Sequence, residues 1–124
     1  MNSLSKRFEA AALALAGSER IKERLHTAWS RHLADLTVRD FPREVRDDFA
    51  LLIDALSRER ALAGDTVLRA SLRKLSNQQA AEFAALIIRT YGRIESLKSG
   101  ETALLANAAN SSVPLLIQTL AGSR

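Results

Sequence analysis

The chain has 124 residues, a formal net charge of +4, two histidines and no cysteine. That length suits one domain with its own core, and the missing cysteine excludes a disulfide framework, a thiolate metal site and a thiol nucleophile. A reducing, cytoplasmic compartment is the expectation that follows.

The excess charge is not spread evenly. Ten basic residues meet ten acidic ones up to Glu59, and one meets one after Lys98. Between them Arg60, Arg69, Arg73, Lys74, Arg89, Arg93 and Lys98 face only Asp65, Glu82 and Glu95. The stretch from Arg60 to Lys98 is therefore the first place to look for a partner surface, although +4 is a modest field.

Helical periodicity runs through nearly the whole chain, and Pro42 and Pro114 are its only prolines. Lys6 and Arg7 before an Ala/Leu run look superficially like a signal peptide, but Glu9 interrupts the run and a helical period accounts for it. Leu4, Phe8, Ala11, Ala12 and Leu15 form one apolar face of a first helix, which Gly17 ends. Ser18 is the expected cap of a second helix, with Ile21, Leu25, Ala28, Trp29, His32 and Leu36 inward and Arg20, Glu23, Arg24 and Arg31 outward.

Thr37 to Phe41 reads as a connector. Asp40 is the expected cap of a third helix with Pro42 in its first turn. Val45, Phe49, Leu52, Ile53 and Leu56 make its inner face, while Glu44, Asp47, Asp54 and Arg58 lie outside. Gly64 stops it, and Asp65 is the expected cap of a short fourth helix carrying Val67, Leu68, Ser71, Leu72 and Leu75 inward.

Ser76-Asn77-Gln78-Gln79 has the pattern of a capping box, so a fifth helix starts there. Ala80, Phe83, Ala84, Ile87, Tyr91 and Ile94 give it an inner face; Gly92 weakens it, and Ser99-Gly100 is the expected end near Lys98. The whole is expected to be an all-α bundle of about five helices in one domain, 1–124. Residues 1–101 form the bundle and 102–124 an apolar C-terminal segment.

Two arginine pairs stand four residues apart, Arg69 with Arg73 and Arg89 with Arg93. With Lys74 they lie opposite the apolar faces of the fourth and fifth helices, where guanidinium groups fork onto phosphates or carboxylates. The same cations on a solvated face, paired with Glu82 or with the acidic third helix, are the plainer expectation. A DNA-binding helix-turn-helix with recognition helix from Asn77 is a sharper one, with Gln78 and Arg89 outward. Against it, the turn lacks glycine, the second helix is long and Glu82 sits amid the face.

No phosphate-cradling glycine loop, nucleophile elbow or H-E-x-x-H motif occurs, so no catalytic residue, metal site or cofactor is expected. His32 reads as a core-edge histidine, and His26 is six residues away on another face. Asp47, Asp48 and Asp54 lack the Glu-x-x-His motifs of di-metal bundles. In the C-terminal segment Leu104, Leu105, Val113, Leu115, Leu116, Ile117 and Leu120 are candidates for internal packing or a subunit interface. Asn107, Asn110 and Pro114 break that segment well short of a membrane span.

Arg69-Ala-Ser-Leu-Arg-Lys-Leu-Ser-Asn-Gln-Gln-Ala-Ala with Ile87-Ile88-Arg89-Thr90-Tyr91, and the earlier Ile21-Lys-Glu-Arg-Leu, His32-Leu33-Ala34-Asp35-Leu36 and Phe41-Pro42, resemble small helical proteobacterial proteins of unassigned function. The resemblance spans about residues 18–95. It implies a bacterial, cytosolic, helical protein and brings no activity, cofactor or binding residue.

The expected function is that of a non-catalytic adaptor or regulatory protein acting through protein contacts as a homodimer. The alternative is a nucleic-acid binder using the Arg60–Lys98 helical pair. A third possibility is attachment to a lipid or granule surface through the C-terminal segment.

Overall fold

Leu4, Phe8, Ala11 and Leu15 are all buried on one side of α1, Asn2–Leu15, in the computed structural model. The structure describes the backbone of residues 2–109 and the side chains of residues 4–100. Within those bounds the chain is all helix and turn, with five α-helices and no strand. It divides into two compact units, Met1–Ile94 and Glu95–Arg124.

Helix α2, Ile21–Ala28, continues into a π-helical turn, Trp29–Leu33. Its N-cap is Arg20, with no side-chain cap, so Ser18 does not start it. The Ala34 N–H donates to the Trp29 carbonyl at 2.9 Å, one residue further back than an α-helical bond. The widened turn shifts the inward position by one residue. Leu33 is fully buried in consequence, and His32, where the 3.6-residue period puts the core, is only half-buried.

The segment read as a connector is part of the core. Thr37 and Asp40 bracket a 3-10 turn, Val38–Asp40, the Asp40 carboxylate accepting the Thr37 N–H at 2.8 Å. Asp40 thus caps backwards and leaves the third helix alone. Phe41 follows, 2% exposed, and its carbonyl accepts from Arg46 Nε at 3.0 Å. Pro42 stands just outside a second 3-10 turn, Arg43–Val45, which leads into α3, Arg46–Leu56.

Phe41 stacks on Phe49 of α3 at 4.1 Å between ring centroids and meets Phe8 edge-on at 5.6 Å. Trp29 covers the far side of Phe49 at 5.5 Å. These four rings are the centre of the first unit, each pair adding about 0.5–1.5 kcal/mol beyond the area it buries. Val45, Phe49, Leu52 and Leu56 are buried as their spacing requires, joined by Ala55.

After α3 the chain turns at Leu62–Asp65, closed by the Asp65 N–H on the Leu62 carbonyl at 3.0 Å. Gly64 is at φ +81° in the third position of that turn, where a side chain is strained. Helix α4, Val67–Lys74, is capped by Thr66, whose hydroxyl accepts the Arg69 N–H at 3.1 Å; Asp65 instead accepts the Thr66 N–H. The cap therefore lies one residue beyond the expected Asp65. Val67, expected inward, is 41% exposed, and Ala70, Ser71 and Leu72 carry the burial. The Ser71 hydroxyl accepts the Glu59 N–H at 3.0 Å, tying the loop after α3 to α4.

The capping box forms as written in the sequence: Ser76 Oγ accepts the Gln79 N–H at 3.0 Å and Gln79 Oε1 accepts the Ser76 N–H at 2.8 Å. It opens α5, Asn77–Ala109, which buries Ala80, Ala84, Ile87, Thr90 and Ile94 within the first unit. The helix passes Gly92 and does not end at Ser99-Gly100. A glycine inside a helix costs only about 1 kcal/mol, too little to stop a helix with good formers on both sides. Leu104 and Leu105 lie on α5, but their side chains, and all of Val113, Leu115, Leu116, Ile117 and Leu120, fall outside the described residues. No described helix is long and apolar enough to cross a membrane.

Candidate functional site

The arginines singled out in the sequence are anchored to carboxylates of their own chain. Arg69 on α4 reaches Glu23 on α2, Nη1 to Oε1, at 3.4 Å. One turn on, Arg73 binds Asp65, which also accepts the Thr66 N–H. The Arg73 guanidinium, then that N–H, hold the Asp65 carboxyl below its usual range. On α5, Arg93 meets Asp48 of α3 at 3.2 Å, so the acidic helix pairs with the basic stretch there. Among the described residues Lys74 and Arg89 have no carboxylate within 4.0 Å, and both are exposed.

Each pair of arginines has different neighbours: Arg69 faces α2, and Arg93 faces α3. A single four-arginine strip is not what the helices build. The face instead alternates in sign, with Glu23, Asp65 and Asp48 set among the cations. Exposed pairs of this kind stabilise by about 0–1 kcal/mol each, so their effect is on what the surface can bind more than on the fold.

Packing of α2 on α4 creates a concave surface that the sequence does not announce. A narrow cleft of about 90 Å³ is lined by Lys22, Glu23, Arg69, Leu72 and Arg73. A wider groove of about 600 Å³ runs along Arg20, Ile21, Lys22, Glu23, Arg24 and Asn77. Lys22 and Glu23 belong to both. Arg24 also has a structural role, donating from Nε to the Glu19 carbonyl at 2.7 Å and from Nη1 to the Leu15 carbonyl at 2.8 Å. It satisfies the Leu15 carbonyl at the end of α1, which the helix itself leaves open, and the Glu19 carbonyl in the turn before α2.

His26 stands a turn beyond Lys22, partly buried. Burial first, and the Arg69 charge second, push its pKa below the ordinary histidine value, with Glu23 opposing. Among the described residues no group of three or more histidines, aspartates or glutamates is placed to hold a metal ion. His32 and Asp47 stay apart from the cleft.

Sequence reasoning found Arg69 and Arg73 but missed Lys22, Glu23 and Asn77. Arg69 and Glu23 are 46 residues apart. No local spacing records such a contact; the outward position of Glu23 on the second helix is the one clue, and nothing in the sequence marks Lys22. Comparison of the chain with family models, curated proteins and solved structures gives no match in any of the three.

Proposed function

We propose that this chain is a non-catalytic interaction protein, an adaptor or regulator, whose first partner is a second copy of itself. The observation that carries the reading is the alternation of charge around the basic stretch, with Arg69, Arg73 and Arg93 each against a carboxylate of the same molecule. A nucleic-acid duplex presents one negative charge about every 1.7 Å, and carboxylates interleaved with the cations repel it. A protein surface carries both signs and meets such a face with complementary ones.

Of the five cations singled out in the sequence, Lys74 and Arg89 are left for a partner, and Glu44 in the 3-10 turn before α3 and Asp47 on α3 offer carboxylates in return, while Asp54 is taken up by Arg58. Exposed Leu51 and Ile88, 57% and 49% accessible, add apolar contact area beside these charges in sequence. The apolar segment after residue 102 supports self-association further by its composition. The resemblance to small helical proteobacterial proteins supports a bacterial, cytoplasmic setting.

Sedimentation velocity of the full chain at low and moderate salt tests this. A dimer that dissociates when Lys74→Glu and Arg89→Glu are introduced is the expected result. A monomer at about 100 μM, well above the micromolar range of ordinary transient complexes, rejects it. Duplex or RNA binding whose affinity falls steeply with salt, and whose slope flattens on neutralising Arg69, Arg73, Lys74, Arg89 and Arg93, replaces it with the nucleic-acid reading.

A further inference from the structure

Two opposite charges on the outer face of α5 have no counterpart in their own chain. Glu82 and Arg89 are both exposed, and neither forms an ion pair among the described residues. They lie two turns apart on one side of the helix, about 10 Å along its axis, too far to reach each other. Beside them runs an apolar seam, on the side away from buried Ala80, Ala84, Ile87, Thr90 and Ile94. Ile88, 49% accessible, is its centre, and Ala81, Ala85 and Gly92 flank it at the alternating spacings of four and three residues by which helices pair.

A second α5 running antiparallel completes this face. Let Ile88 of each copy rest on Ala85 of the other, and let Ala81 of each face Gly92 of the other. A two-fold axis then crosses the pair midway between Ala85 and Ile88, and the same flank of each helix meets itself reversed. Glu82 of each copy comes beside Arg89 of the other, so both unpaired charges are compensated twice by one symmetry operation. Gly92 fits the close approach: it is exposed, and a Cβ added there meets no atom within 4 Å of its own chain. A glycine weakens a helix relative to alanine, and no described neighbour requires one at this position.

We propose that α5 is the self-association surface, two copies pairing antiparallel through Ala81, Ala85, Ile88 and Gly92 with reciprocal Glu82–Arg89 ion pairs. This rests on the self-association proposed above and gives Arg89 an acceptor on α5 in place of the carboxylates near α3. The seam spans about 16 Å, a small contact that suits a reversible dimer with a micromolar Kd.

Sedimentation velocity of the full chain reads the pairing through charge reversal. Arg89→Glu and Glu82→Arg each set like charges together at both ends of the seam and should raise Kd about tenfold. The double variant restores the pairs with their signs exchanged and should return to within about threefold of the parent. An Arg89 that binds Glu44 or Asp47 gains nothing from Glu82→Arg, so the rescue is specific to this face. Because the chain has no cysteine, a short thiol-reactive crosslinker reads the register. Ala81→Cys mixed with Gly92→Cys should give a covalent dimer, and either alone should give little, since like positions lie about 16 Å apart along the axis. All four substituted positions are exposed, so the fold is unaffected. A dimeric parent without rescue, or without the mixed crosslink, overturns this surface and leaves self-association standing. A parent that stays monomeric at about 100 μM overturns both.

Discussion

Thr90 offers the sharpest test of the packing. It is fully buried between Ile87 and Ile94 on α5, and among the described residues its hydroxyl is the buried side-chain group without a hydrogen-bond partner. An unsatisfied buried hydroxyl costs about 1–3 kcal/mol on the scale set by protein mutations. Valine has the same shape, is branched at the same carbon and has nearly the same helix propensity. Thr90→Val therefore removes the penalty and little else, and a stabilisation of about 1 kcal/mol is expected. In urea, with a slope of about 2 kcal/mol/M, that moves the midpoint up by about 0.5 M at unchanged slope. Thermal unfolding should rise by about 4 °C. Thr90→Ser keeps the hydroxyl, deletes the methyl and should destabilise by about 1 kcal/mol. A Thr90→Val protein less stable than the parent by 1 kcal/mol or more would refute the reasoning, because it would mean the hydroxyl is bonded.

Four further outcomes follow from the same geometry. Gly64→Ala meets no atom within 4 Å but forces a side chain into φ +81°, so it should lower stability by about 1–2 kcal/mol in a urea titration. Arg24→Met keeps the apolar stem and drops the bonds to Leu15 and Glu19; a loss of about 1–2 kcal/mol is expected, with faster hydrogen exchange at the end of α1. His26 has its folded pKa lowered below the ordinary 6.5 by burial and Arg69, so the unfolded chain binds its proton first. Stability should accordingly fall as pH drops through about 6.5 and level off below the folded pKa, and His26→Gln should flatten that part of the profile. The Asp65 carboxyl has its pKa lowered in the fold, so its contribution is present above the unfolded carboxylate range and disappears only in stronger acid.

Much of this architecture is local, and local features are legible. The 0, 4, 7, 11 spacing from Leu4 to Leu15 and the Ser76–Gln79 box need only one turn of helix to take effect, and both appear in the structure as the sequence specifies. The misreadings have separate causes. His32 lost its place to Leu33 because a single π turn changes the phase of everything after it, and no residue type marks such a turn. Phe41 was read as connector because it belongs to no periodic run, yet its ring stacks on Phe49 and Phe8 from elsewhere in the chain. Asp65 and Ser18 are good caps by chemistry, and neither is the N-cap of a helix here.

Sequence alone determined that this chain is all helix, where most of its apolar faces lie and which cations point outward, because periodicity and capping act over a few residues. Tertiary structure alone decided what those cations face. Arg69, read as half of an outward basic pair set against Glu82 or the acidic third helix, shares a cleft with Lys22 and Glu23 of α2 instead, and Arg93 faces Asp48 of that third helix, 45 residues away. Ion pairs and clefts depend on how helices cross, and crossing angles come from the fit of side chains brought together only by folding.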